Sequence, residues 1–124
     1  MPKKLKGRKV AMQEEIVVKN PVVEFQFWDN KKVDRDTISA NINGAWVVKE
    51  HPLDAIPKTV KVEFNQRNNY LIVHALNEGY IPPNTIAITI KDGVVEHLIT
   101  LKSSMEESAA LKIVYEPLLL REKS

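Results

Sequence analysis

The sequence predicts an all-β protein: a single antiparallel β-sandwich, Ig-like with Greek-key connections, of eight or nine strands. Three observations carry this. First, apolar and polar residues alternate with period two, as in Val23-Glu24-Phe25-Gln26-Phe27 and Val60-Lys61-Val62-Glu63-Phe64. Alternation sets one face of a strand on a core and the other in solvent, as antiparallel sheets do. Second, turn residues fall between the alternating runs. Third, the runs are short, numerous and regularly spaced, the pattern of a sandwich or barrel. The longer connections at 50–57 and 77–84 favour the sandwich, because Greek-key crossings need them.

In chain order the predicted strands are 9–18, 22–28, 36–42, 45–50, 58–64, 70–76, 85–90, 94–101 and 110–116. Asn43-Gly44 joins the third and fourth, because both central residues of a type I′ turn need positive φ. Asp92-Gly93 is expected to do the same between the seventh and eighth. Residues 65–69 separate the fifth from the sixth, and Pro82-Pro83-Asn84 bars a strand, since neither proline donates a ladder hydrogen bond. Residues 104–109 are expected to form one helical turn with Ser103 or Ser104 as cap. The expected core comprises Val23, Phe25, Phe27, Ile38, Ala40, Ile42, Val60, Val62, Phe64, Leu71, Val73, Ile86, Ile88, Ile90, Ile99, Leu101, Leu111 and Ile113.

Charge divides the chain. The net charge is +2, yet five basic residues and no acid lie in the first nine positions. The remainder holds 13 basic against 16 acidic residues, a net of −3. The expected organisation is therefore a basic, flexible lead-in at 1–8, a sandwich at 9–117 and a tail at 118–124. The lead-in reads as a solvated terminus. It lacks the aromatics that single-strand nucleic-acid binding needs, so no nucleic-acid partner is expected. Cysteine is absent, which excludes disulfides, thiolate zinc sites and a Cys nucleophile. No apolar run approaches the roughly 18 residues of a membrane span. No apolar segment follows the basic start, so the N-terminus does not read as a signal peptide.

Three stretches are similar to one family in combination. They are 27–39, which opens Phe27-Trp28-Asp29 and continues through Asp34-Arg35-Asp36; then Asn43-Gly44-Ala45-Trp46; then 74–85, which ends Ile81-Pro82-Pro83-Asn84-Thr85. Over roughly residues 8–116 the chain resembles a poorly characterised family of bacterial β-sandwich domains of exported, surface or envelope proteins. The chain departs from the family pattern at Arg35, where the pattern has Gly. The resemblance implies a secreted, periplasmic or cell-surface setting and a non-catalytic accessory or interaction domain. Its partner would be a protein or a neighbouring domain.

The residues add two candidate sites. Asp29, Asp34 and Asp36, with Asn77 from a neighbouring loop, supply the oxygen ligands that Ca²⁺ requires. Lys31, Lys32 and Arg35 stand in the same loop and neutralise those acids without a metal, and turn capping by Asp accounts for the same residues. Trp28, Trp46 and Tyr80 are the candidate aromatics for carbohydrate binding; covering the open ends of the sandwich is their other reading. Trp28 follows Phe27, so the two face opposite sides of their strand. His51, His74 and His97 show no metal-ligand spacing and read as partly exposed strand residues. No nucleophile motif or phosphate loop is present, so the chain is not expected to be an enzyme. Leu118-Leu119-Leu120 is an apolar run that either folds back or meets another subunit. A third reading is a structural subunit that assembles through an edge strand.

Overall fold

Ten strands and no helix make up the described residues of this computed structural model, which are 3–29, 37–76 and 84–117. The strands are β1 (Lys4–Leu5), β2 (Arg8–Val18), β3 (Val22–Trp28), β4 (Thr37–Ile42), β5 (Ala45–Pro52), β6 (Lys58–Glu63), β7 (Asn68–Ala75), β8 (Asn84–Asp92), β9 (Val95–Ser103) and β10 (Glu107–Tyr115). They form a six-stranded sheet in the order β1-β2-β10-β7-β4-β5 and a four-stranded sheet in the order β6-β3-β8-β9. The protein is therefore an all-β sandwich. Hairpins join β1 to β2, β4 to β5 and β8 to β9; every other connection passes from one sheet to the other. The connections at 50–57 and 77–84 are two of these crossings.

The period-two pattern explains the core. Along β3, Val23, Phe25 and Phe27 are fully buried while Val22, Glu24 and Gln26 turn outward. Phe25 stacks on Phe27 at 6.3 Å between centroids and meets Phe64 edge-on at 6.2 Å. Each such pair is worth about 0.5–1.5 kcal/mol beyond its area. Of the expected core, all but Val60 and Val62 are buried; those two lie on edge strand β6 and pack only partly. Four further residues complete the interior: Val18, Val48, Leu53 and Ala109. Leu53 comes from the β5–β6 connection and plugs the space between the sheets.

The sandwich is mostly antiparallel as expected, with β2 running parallel to β10. Three expectations change. Residues 4–8 of the expected 1–8 lead-in are not unstructured: β1 pairs with the start of β2, and Lys6 and Gly7 make the turn at φ 50° and 81°. The helical turn at 104–109 is absent, and β10 begins at Glu107. Ser104 does act as a cap there: its Oγ accepts the backbone N–H groups of Glu106 and Glu107. Finally, the β8–β9 turn lies one residue later than expected. Asp92 pairs with Val95, so Gly93 and Val94 are the central residues, with Gly93 at φ 61°. Asn43-Gly44 is as expected, at φ 52° and 91°.

Asp92 is free of the turn because its carboxylate is used elsewhere. It is buried, and accepts the backbone N–H groups of Lys19 and Asn20 at 2.8 and 2.9 Å and the Asn20 side-chain amide at 2.6 Å. Burial alone would push this carboxyl up. The three donors, with the positive field of His97, outweigh burial and hold it below the usual Asp value. A side chain at Gly93 would meet Asn20 Nδ2 at 2.8 Å, so glycine is needed for space as well as for φ.

A second tie joins the sheets at their edges. β2 bulges opposite Ala110 and Leu111, which pair with Met12 and Glu14 and leave Gln13 as the extra residue. The Gln13 amide donates to Lys102 O at 2.7 Å and accepts Lys102 N–H at 2.9 Å. A side chain thereby imitates a neighbouring strand and covers the edge of β9.

Asp92→Ala leaves three donors without their acceptor and is expected to lower stability by about 2–4 kcal/mol, read as a shift in the urea midpoint without a change in slope.

Candidate functional site

Alternation along the six-stranded sheet dictates which side chains leave the core. On β7, Leu71, Val73 and Ala75 point inward, so Ile72 and His74 point to the outer face. On β4, Ile38, Ala40 and Ile42 point inward, and Ser39 and Asn41 outward. On β10, Ala109 and Leu111 point inward, and Ser108 and Ala110 outward. Yet the outward set is also buried: His74 is 3 % exposed, Ser39 7 % and Ala110 0 %. The sheet curls over them. Lys6, just beyond β1 at one end of the strand order, has its ammonium 4.8 Å from the ring centroid of Trp46, on β5 at the other end.

The curled face encloses a cavity of about 540 Å³ lined by Lys6, Arg8, Ser39, Trp46, Lys49, Glu50, His74 and Leu76. A second cavity of about 340 Å³ shares Lys6 and Trp46 and extends to Asn41, Asn43, Tyr70 and Ile72. Two irregularities in the strands shape the larger one. The first is the β1–β2 turn, which projects Lys6. The second is a bulge in β5: Ile38 pairs with His51 and Ala40 with Val48, so Lys49 and Glu50 together oppose Ser39. In a regular strand, neighbours would face opposite sides; the bulge lets both line the cavity. Ser39 Oγ accepts the Glu50 N–H at 3.0 Å and holds the bulge. Glu50 sits at φ 47°, a conformation that costs a non-glycine residue about 1 kcal/mol or more.

His74 forms the floor. Its Nδ1 is 2.7 Å from Ser108 Oγ, and Trp46 meets the imidazole edge-on at 6.1 Å. Burial, with the charges of Arg8 and Lys6 acting in the same direction, lowers its pKa from 6.5 to about 4. The imidazole is therefore neutral at physiological pH. Arg8 is anchored by its guanidinium, which donates to the backbone carbonyls of Ala75 and Ser104.

The structure scatters the residues singled out by sequence. Asp29 follows β3 and is buried, with its N–H donated to Asp54 O at 3.0 Å. Asp34, Asp36, Asn77 and Tyr80 lie outside the described residues, as does the 118–120 run. Among the described residues no group of three His, Asp or Glu side chains converges as a metal site. Trp28 is half-buried on the outer face of the four-stranded sheet, with Nε1 donating to Thr89 Oγ1 at 3.2 Å. Trp46 is half-buried on the outer face of the other sheet. The two cannot share one binding platform. His51 and His97 are partly exposed as expected, whereas His74 is buried because the curled sheet covers it. Sequence reasoning missed the grouping of Lys6, Arg8, Ser39, Lys49, Glu50 and His74. The one local signal for part of it was Lys6-Gly7, a turn pair beside an alternating run.

No helix among the described residues is long and apolar enough to cross a membrane. Comparison with models of protein families, with curated proteins and with solved structures finds no match to this chain.

Two predictions test this geometry. The His74 pKa is lower in the folded than in the unfolded chain, so the unfolded chain takes up the proton first as pH falls. Stability is complete above pH 6.5 and falls by about 3 kcal/mol towards pH 4. Urea unfolding across that range is expected to show the fall, and His74→Gln to flatten it. Asp92 acts only lower, where pH falls below 3.8 towards its depressed folded value. Glu50→Gly is expected to raise stability by about 0.5–1 kcal/mol, opposite to the usual effect of glycine in a strand, measured by thermal unfolding.

Proposed function

We propose that the protein is a non-catalytic binding domain, of the accessory kind carried by bacterial secreted or envelope proteins, and that it meets its partner with the outer face of the six-stranded sheet. The observation that carries this is the cavity beside Trp46. It is built from two strand irregularities, and the non-glycine positive φ of Lys6 and of Glu50 both occur on its lining. Strained backbone that survives in a fold tends to mark a site of function. The same reasoning favours binding over turnover. His74 and Ser108 resemble a base and a nucleophile, but Ser108 is 0 % exposed. The charges acting on the imidazole come from cations, where a catalytic base needs a carboxylate to orient it and stabilise its charge.

A carbohydrate ligand is the second reading, favoured by one observation: the indole of Trp46 forms part of the wall of a ligand-sized cavity. Trp28 has only a shallow recess of about 140 Å³ beside it.

The test is a binding screen against immobilised glycans and cell-envelope polymers with the wild type, Trp46→Ala and Trp28→Ala. Retention that weakens about tenfold in Trp46→Ala and stays unchanged in Trp28→Ala is the expected result. Equal retention by all three, or conversion of a retained polymer to products, would overturn the proposal.

A further inference from the structure

We infer that the cavity beside Trp46 binds a monoanionic ligand of sugar size: a hydroxylated ring that carries a carboxylate. The inference rests on the reading of this face as the binding face and names the chemistry of what it takes.

Charge is the first argument. Lys6, Arg8 and Lys49 line the cavity, and among the described residues the ion pairs are Lys19–Glu116 and Arg67–Glu116. None of the three cations is therefore neutralised by a carboxylate at ion-pair distance within that set. Arg8 is held by carbonyl oxygens, which fix its position and leave its charge uncompensated. A half-enclosed space with unpaired cations raises the local concentration of anions.

Glu50 decides which anion. Among the described residues it is the one carboxylate on the lining, set beside Lys49 by the bulge. A carboxylate on the same lining as the cations opposes a dianion such as phosphate more than a monoanion. It also accepts hydrogen bonds from hydroxyl groups, as Ser39 Oγ and the His74 ring can. With Nδ1 engaged by Ser108, His74 has Nε2 left for the ligand. The third argument is shape. Trp46 supplies an apolar wall, and the volume of about 540 Å³ falls in the range of small-molecule sites, roughly 300–1,000 Å³. Lys6 lies across the indole, so an ammonium and a ring surface are presented together.

Binding should then act back on His74. The groups facing it are Lys6 and Arg8 from the β1–β2 hairpin, Ser108 from β10, and Trp46, Lys49 and Glu50 from β5. A bound carboxylate offsets the field of the two cations and raises the affinity of the ring for a proton.

The experiment is an NMR titration of the full chain with sodium glucuronate, and in parallel with methyl glucoside and sodium acetate. Glucuronate is expected to shift the Trp46 indole and the amides of Ser39, Lys49 and Glu50, and to raise the His74 pKa. It should bind about tenfold more tightly than either methyl glucoside or acetate, and weaken as salt is added. Lys49→Ala, an exposed change that leaves the core intact, is expected to weaken it by roughly threefold to tenfold. Equal binding of glucuronate and glucoside would overturn the inference while leaving the binding face in place. Equal binding of glucuronate and acetate would overturn the sugar part and leave a site for charge alone. No shift at the Trp46 face with any of the three would overturn the inference outright; retention of a polymer through Trp46 would still sustain the broader reading.

Discussion

The parallel pairing of β2 with β10 is the constraint on which the rest of the structure depends. Among the described residues it is the one parallel ladder, and it joins strands about a hundred residues apart in sequence. Parallel partners cannot be joined by a tight turn, and here the seven strands between them, which run through both sheets, are the crossover. Once made, it positions everything N-terminal to it. The β1–β2 turn is brought over the outer face, Arg8 reaches the carbonyls at the ends of β7 and β9, and Lys6 reaches Trp46. The bulge at Gln13 interrupts the same ladder and turns an amide towards β9. One pairing thus closes the core and builds the cavity wall.

The curl of the six-stranded sheet then changes the chemistry of its outer face. An ordinary outer face is solvated and its polar groups are satisfied by water. Here Ser39, Asn41, His74 and Ser108 are buried, and each takes a protein partner or a place on a cavity wall. Burial of the imidazole among cations makes it neutral, and burial of Asp92 among donors keeps it charged. The two groups show the same force with opposite outcomes, decided by which partners the fold supplies.

The fold class was legible because period-two alternation is a local property and both β3 and β6 display it cleanly. The Asn43-Gly44 turn was legible for the same reason: its φ requirement names its residues. The candidate cavity was not legible. Its members come from β1–β2, β4, β5 and β7, and their grouping follows from a strand order that no local pattern encodes. Asp92 shows how a local signal misleads. Asp-Gly reads as a turn, yet long-range hydrogen bonds to Lys19 and Asn20 recruited the aspartate and moved the turn onward by one residue. His74 was misjudged through the same gap, since strand periodicity tells which face a residue takes and nothing about what lies over that face. The 1–8 lead-in was read by charge, and the pairing of β1 to β2 depends on the backbone, which charge does not report.

The direction of β2 and β10 also has a mechanical meaning. Val10 N–H is bonded to Lys3 O, near the start of β2, while Glu116 N–H is bonded to Val18 O at its far end. At about 3.3 Å per residue, the two points lie roughly 25 Å apart, at opposite poles of the domain. Tension between the poles pulls the two strands past each other along their length. The ladder then resists as a whole, since its hydrogen bonds share the strain and do not open one at a time. Loaded in this way the ladder is sheared along its length, where an antiparallel hairpin pulled at its open end would unzip pair by pair.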